Sequence, residues 1–89
     1  MATRCRKLIN RRLYDTTVSR SLGGWCDNYT DELLFLAPDG EYFLYTCSNY
    51  GTTKTDIRPL TYEEARRWAS NMLPKYQYIS IFGDEATTK

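Results

Sequence analysis

Residues Glu32–Ser48, ELLFLAPDGEYFLYTCS, form the most apolar segment of the chain. Two apolar, aromatic-rich runs flank a turn sequence of the form x-Pro-Asp-Gly-x. Pro38 presets φ, Asp39 can accept a hydrogen bond from the backbone two residues on, and Gly40 supplies a positive φ. The second run alternates its side chains between two faces, as a β-strand does. We therefore predict a β-hairpin over about residues 33–47, against which the remaining elements pack.

Short elements are predicted before this hairpin. Residues 5–9 are expected to form a strand, which a tight turn joins to a second extended run at residues 13–14. Asp15 is a good N-cap, so we predict a short helix over about residues 16–22. The glycine pair at residues 23–24 is expected to end this helix. A helix of two turns has to be held in place by tertiary packing.

The clearest helix of the chain covers about residues 62–73. Thr61 and Glu64 have the spacing of a capping box, in which the hydroxyl accepts from the N3 amide and the carboxylate reaches back. Glu63 and Arg67 are spaced to pair on its solvent face. Apolar side chains recur at helical spacing on the opposite face. They are Tyr62, Ala65, Trp68, Ala69, Met72 and Leu73.

The remaining segments predict loops and one ambiguous element. Residues 25–31 and 49–56 are expected to be polar loops. Residues 76–82 alternate large apolar side chains, which favours a strand, with a short helical turn as the alternative. Residues 84–89 are expected to form a disordered tail. We predict a single α+β domain over residues 1–89, with a small antiparallel sheet on which both helices pack.

Composition argues against catalysis and metal binding. The 89-residue chain contains no His, so the commonest general base is missing and Cys–His and Ser–His pairs are excluded. The three cysteines, Cys5, Cys26 and Cys47, form no CxxC motif, and a zinc site would need a carboxylate as its fourth ligand. We expect reduced thiols, no metal, no cofactor and no enzymatic activity.

The chain has no apolar run of the length found in a signal peptide or a membrane span. We therefore expect a cytoplasmic protein with no membrane partner. The net charge of +1 is unevenly distributed. Residues 1–20 contain six basic residues and one acidic residue, net +5, and the remainder contains six basic and ten acidic residues, net −4. Either the basic segment faces a partner, or the two parts neutralise each other across the fold.

Nucleic-acid binding is the alternative function that this charge distribution raises. The expected element order, with a helix between the first two strands, is compatible with an RRM-type sheet. The basic residues that could contact phosphates are Arg6, Lys7, Arg11 and Arg12. However, Asp39 and Glu41 flank Gly40 where the RRM signature has a basic residue, so phosphates would be repelled there.

Five short motifs are spread along most of the chain. They are KLIN at 7–10, YDT at 14–16, FLY at 43–45, PLTYEEARRWA at 59–69 and IFG at 81–83. Together they resemble a family of small proteins carried by phages and mobile elements of bacteria, whose opening usually reads KLINGKxYDT. Here Arg11 stands where that pattern has the turn glycine. Asn10 is therefore expected to take a positive φ.

The resemblance implies an accessory protein of the anti-CRISPR type. It would bind and block a CRISPR–Cas effector in the host bacterial cell, without catalysis. We expect exposed aromatic and basic side chains to make the contact, because these dominate interface energetics. The predicted partner-binding residues are Arg11, Arg12, Trp25, Tyr29, Tyr50, Lys54 and Arg58. A core position for Trp25, and an idle flexible loop for Tyr50 and Lys54, are the alternative interpretations; Trp68 is assigned to the core.

Overall fold

The fold is α+β, as predicted, in a computed structural model that describes residues 5–83. The tail predicted at residues 84–89 lies outside this range. The strands in chain order are β1 Arg6–Ile9, β2 Arg12–Asp15, β3 Arg20–Cys26, β4 Thr30–Leu36, β5 Tyr42–Tyr50 and β6 Thr52–Leu60. The helices are α1 Tyr62–Met72 and α2 Lys75–Phe82. Strands β1 and β2 form one antiparallel hairpin, and β3 to β6 form a four-stranded antiparallel sheet in sequence order.

The four-stranded sheet lies between the β1–β2 hairpin and the two helices. Phe43 packs on the hairpin side, where it stacks on Phe35 at 5.3 Å and meets Tyr14 of β2 edge-on at 5.4 Å. Its neighbour Leu44 packs on the helix side with Leu34 and with α1. The two residues are 0% and 2% exposed. Strand β5 therefore carries the centre of both cores, as the hairpin prediction requires.

The β4–β5 hairpin confirms the central prediction. Gly40 has φ 92° and donates its N–H to the Ala37 carbonyl at 2.9 Å. The Asp39 carboxylate accepts the N–H of Glu41 at 3.1 Å. These are the roles that the sequence predicts for the two turn residues. The β4–β5 pairing extends further than predicted, from Thr30 to Ser48.

The helix predicted over residues 16–22 is wrong. The Asp15 carboxylate accepts from both the N–H and the hydroxyl of Thr17, at 2.9 and 2.6 Å, and so closes a turn instead of capping a helix. Thr16 is buried and its hydroxyl accepts the Cys5 N–H at 2.9 Å. Strand β3 begins at Arg20. Consequently the chain has no helix between its first strands, and the RRM-type element order is excluded.

The glycine pair lies inside β3 and does not end a helix. A Cβ at Gly24 would clash with the Leu33 side chain and the Glu32 carbonyl oxygen of the neighbouring strand. A Cβ at Gly23 would lie 3.2 Å from Leu73 and 3.3 Å from Gln77. The two glycines therefore let β4 and the helices approach this edge strand closely.

Residues 76–82 are helical. The strand favoured by the sequence is therefore wrong, and the alternative of a helical turn is correct. The Pro74 carbonyl accepts the N–H groups of Gln77 and Tyr78 at 3.0 and 3.1 Å, and Gly83 with φ 84° ends the helix. Tyr78 is buried, and Ile81 and Phe82 pack with it against α1. The alternating apolar residues also fall at helical spacing, so the pattern fitted both structures.

Helix α1 confirms the predicted capping box. The Thr61 hydroxyl accepts the Glu64 N–H at 3.1 Å, and the Glu64 carboxylate accepts the Thr61 N–H at 2.9 Å. Ala65, Ala69 and Leu73 of the predicted apolar face are buried. The other three are less so: Trp68 is half-buried, and Tyr62 and Met72 are exposed.

Both segments predicted as loops lie largely in strands. Residues 25–31 complete β3 and begin β4 around a turn at Asp27. Residues 49–56 complete β5 and begin β6, with Gly51 at φ 88° between them. The polar edge strands lack apolar alternation, so the sequence carried no strand signal there.

The outer edge of β6 is blocked near its C-terminal half. Asp56 Oδ1 accepts the Ile57 N–H at 2.9 Å, and Pro59 has no N–H to donate. The same carboxylate forms an ion pair with Lys7 of β1, which ties the hairpin to the edge strand. The Asp56 hydrogen bond and the proline therefore leave few backbone groups of this edge free to pair with a further strand.

The β1–β2 turn contains two non-glycine residues with positive φ. Asn10 has φ 53°, as predicted, and Arg11 has φ 66°. A two-residue hairpin turn of type I′ needs positive φ at both central positions, where Asn-Gly is the favoured pair. Arg11 therefore occupies a backbone conformation that favours glycine.

Replacing Arg11 with glycine is expected to stabilise the protein by about 0.5–1 kcal/mol, because the left-handed conformation costs a side chain about that much more than it costs glycine. Urea unfolding measures the free energy of unfolding. Arg6→Gly in β1 is the control and is expected to destabilise the fold. A lower free energy of unfolding for Arg11→Gly would contradict the assignment of the turn.

The Lys7–Asp56 ion pair predicts a pH-dependent stability. The hydrogen bond from Lys7, and then that from the Ile57 N–H, lower the pKa of Asp56. A carboxyl whose pKa is lower when folded stabilises the fold at neutral pH and loses this contribution as the pH falls through the folded pKa.

Asp56→Asn is therefore expected to cost about 0.2–1 kcal/mol at pH 7, the range of an exposed ion pair, and progressively less below about pH 4. Urea unfolding across this pH range measures the difference. The double variant with Lys7→Gln is expected to cost little more than Asp56→Asn alone. A constant difference from neutral to acidic pH would refute the role of the ion pair.

Candidate functional site

The helices cover only one end of the sheet's helix-side face. Leu34, Leu44 and Leu60 lie beneath them in the core. Further along the same face, the antiparallel register places one polar row after another across β4, β5 and β6. The rows are Glu32, Thr46 and Asp56, then Thr30, Ser48 and Lys54. We call this region the open sheet surface, and Tyr50 follows on the same face at its end.

A stacked pair of tyrosines lies at the end of the open sheet surface. The rings of Tyr29 and Tyr50 are 5.3 Å apart and inclined by 14°, yet the residues remain 54% and 69% exposed. The Tyr50 hydroxyl lies 3.4 Å from the Thr30 hydroxyl. Stacking holds both rings in one orientation while their outer faces stay in solvent. Such a pair offers a large amphipathic contact area.

Two turns place these tyrosines side by side. Asp27 Oδ1 accepts the N–H groups of Tyr29 and Thr30 at 2.8 and 2.7 Å, which fixes the β3–β4 turn. The Tyr29 carbonyl accepts the Asn49 N–H at 2.8 Å, which joins that turn to the end of β5. The pair is therefore built on backbone hydrogen bonds and not on two mobile loops. Tyr50 ends strand β5 and so does not lie in the flexible loop of the alternative interpretation.

Glu32 stands at the border between the covered and the open parts of the face. One carboxylate oxygen, Oε1, accepts the indole N–H of Trp25 at 2.9 Å and that of Trp68 at 3.0 Å. The three side chains come from β4, β3 and α1, and all are half-buried. This carboxylate therefore fixes both tryptophans and ties the helix to the sheet. We call this arrangement the tryptophan clamp.

The seven predicted binding residues fall into two groups at opposite ends of the sheet. Five lie around the open sheet surface: Trp25, Tyr29, Tyr50, Lys54 and Arg58. The other two lie at the β1–β2 turn, beside the β4–β5 turn. There Arg12 forms an ion pair with Asp39, and Arg11 is exposed. The structure therefore does not bring all seven residues together, and the two arginines lie apart from the tyrosine pair.

Sequence reasoning missed two residues of this region. The sequence predicts no binding role for Glu32 beyond one of several acidic side chains, although its period-two spacing from Leu34 places it on the helix side. Arg67 was expected to pair with Glu63, but no such ion pair exists among residues 5–83. Instead Arg67 lines a groove between α1 and β6 together with Arg58.

Other features of the described residues bear on function. The thiols of Cys5, Cys26 and Cys47 are free. Residues 5–83 contain no group of three or more His, Cys, Asp or Glu side chains placed to hold a metal ion. Neither α1 nor α2 has the length and apolar character of a membrane-spanning helix.

Compared with known proteins, the chain matches no family model, no curated protein and no solved structure. Its function is therefore inferred from the residues and from the geometry of the open sheet surface.

Glu32→Ala is expected to lower the free energy of unfolding by about 1–3 kcal/mol, because two half-buried indole N–H groups lose their acceptor. Glu32→Gln retains one carbonyl acceptor and is expected to cost less. Urea unfolding followed by tryptophan emission measures both. The control is Glu41→Ala at the other end of the sheet, which is exposed and expected to change stability by under about 0.5 kcal/mol. Equal losses for Glu32→Ala and Glu41→Ala would refute the clamp.

Proposed function

We propose that this protein is a non-enzymatic inhibitor of the anti-CRISPR type. It acts in the cytoplasm of the host bacterial cell, where it binds a component of a CRISPR–Cas effector and blocks it. The observation that carries the binding role is the exposed Tyr29–Tyr50 stack at the end of the open sheet surface. The resemblance to phage and mobile-element proteins supplies the class of target.

The tyrosine stack is suited to protein recognition. Aromatic side chains are enriched at interface hot spots, and tyrosine contributes a large contact area at a low cost in side-chain entropy. Because the two rings already stack and the turns that carry them are hydrogen-bonded, little further ordering is needed on binding. Thr30 and Ser48 beside the stack provide hydroxyls for a polar rim.

Charge favours a protein partner over a nucleic acid. Lys7 and Arg12 of the basic N-terminal segment form ion pairs with Asp56 and Asp39, so the acidic remainder of the chain already neutralises part of that segment. Near the tyrosine stack, the Asp27 carboxylate lies at the β3–β4 turn, and Lys54 is the one basic side chain in the adjoining row of the open sheet surface.

Affinity capture tests the proposal. The tagged chain, incubated with extract from a host that carries an active CRISPR–Cas system and treated with nuclease, is expected to retain one effector component in stoichiometric amount. Tyr29→Ala/Tyr50→Ala is expected to weaken this binding by about tenfold or more, since hot-spot truncations cost at least about 2 kcal/mol. The purified protein is also expected to inhibit cleavage of target nucleic acid by that effector.

Tyr76→Ala is the matched control. Tyr76 is 71% exposed and belongs to α2, not to the strands of the open sheet surface, and its removal is expected to leave capture and inhibition unchanged. Recovery of nucleic acid alone, lost after nuclease treatment, would refute the proposal and favour the nucleic-acid-binding alternative. Equal effects of the two tyrosine variants would refute the assigned surface.

A further inference from the structure

A groove between α1 and β6 opens beside the open sheet surface. It encloses about 320 Å³ and is lined on opposite sides by Arg58 of β6 and Arg67 of α1. Trp68 and Asn71 lie along its helix wall, and Pro59 and Leu60 contribute apolar surface. We call this feature the arginine groove. The register of β6 places Arg58 opposite Leu44, on the helix-side face of the sheet.

The two arginines have unused hydrogen-bonding capacity. Within residues 5–83, Arg58 and Arg67 take part in no ion pair and no side-chain hydrogen bond. Both are exposed. A guanidinium presents five N–H donors in a planar fork that matches an oxyanion, so two of them across one groove form an anion-binding arrangement.

The one carboxylate in the groove is already engaged. Glu64 Oε1 accepts the N–H of Thr61 in the capping box, which directs it to the start of α1. The groove therefore carries two guanidinium charges, one engaged carboxylate and the Asn71 amide. This balance suits a ligand with a single negative charge on an apolar stem, which the Trp68 ring and the Pro59–Leu60 wall would cover.

We propose that the arginine groove binds an aspartate or glutamate side chain from an acidic segment of the partner protein; this step rests on the proposed function. The groove continues the open sheet surface, because Arg58 and Lys54 lie on the same face of β6. A partner segment that contacts the tyrosine stack and follows β6 reaches the groove. The Glu64 carboxylate in the groove disfavours a chain of phosphates, which carries more negative charge than one carboxylate.

Nuclear magnetic resonance tests this with a free probe and without any defence complex. The intact protein, labelled with nitrogen-15, is titrated with capped hexaglutamate, with capped hexaglutamine, and with a hexathymidine strand. The readouts are the Arg58 and Arg67 Nε–H signals and the Trp68 indole N–H signal. Hexaglutamate is expected to shift all three saturably. Hexaglutamine is expected to shift none, and hexathymidine is expected to bind more weakly than hexaglutamate.

Arg58→Ala/Arg67→Ala is expected to weaken hexaglutamate binding by about tenfold or more, because charge-assisted hydrogen bonds are lost. Arg20→Ala, an exposed arginine on β3 at the other edge of the sheet, is the control and is expected to change nothing. Amide spectra of each variant verify that it is folded.

Three results would overturn the proposal. They are the absence of shifts with hexaglutamate, unchanged hexaglutamate binding by the double variant, and tighter binding of hexathymidine, which would assign the groove to phosphate. If no effector component is captured while hexaglutamate still shifts the three signals of the unmodified protein and not those of the double variant, the proposed function fails and the acidic specificity of the groove stands. If Tyr29→Ala/Tyr50→Ala abolishes capture of a partner that Arg58→Ala/Arg67→Ala still binds unchanged, the groove inference fails and the proposed function stands.

Discussion

One face of strand β5 changes from apolar to polar along its length, and this change fixes where the helices pack. On the hairpin side, Phe43 and Tyr45 continue the core along the strand, and burial raises the pKa of Tyr45 to about 12. On the helix side, Leu44 is buried, whereas Thr46 and Ser48 are not. Burying apolar surface lowers the free energy of the protein, whereas burying unpaired polar groups raises it. The helices therefore pack where this face is apolar and leave its polar end open.

The Glu32 carboxylate, and not apolar packing alone, stabilises the border between the covered and the open parts of this face. Glu32 is the polar residue of β4 next to the covered part of the face. Its carboxylate accepts the indole N–H groups of Trp25 and Trp68. Trp25 and Trp68 therefore cannot be sorted into core or interface residues: each packs its ring and also defines where the open sheet surface starts. The same border adjoins the arginine groove, so α1 contributes both to the core and to the surface that a partner would meet.

Local signals predicted the parts of the fold that local contacts decide. The Pro38-Asp39-Gly40 turn and the Thr61–Glu64 capping box formed as the sequence indicates. The helix predicted after Asp15 is wrong because an aspartate followed by threonines can close a turn as readily as it can cap a helix. The tyrosines of the site were chosen for their expected exposure. Their stacking depends on the β4–β5 register and on two turns within segments predicted as loops, which no local pattern reveals.

The proposed function requires that a partner covers the open end of the sheet. It is tested most directly by photo-crosslinking in a host cell with an active defence system, using benzoylphenylalanine in place of Tyr50 or of Tyr76. We expect a crosslink to one effector protein from position 50 and none from position 76. Crosslinks to that protein from position 76 alone, or to nucleic acid from position 50, would contradict it.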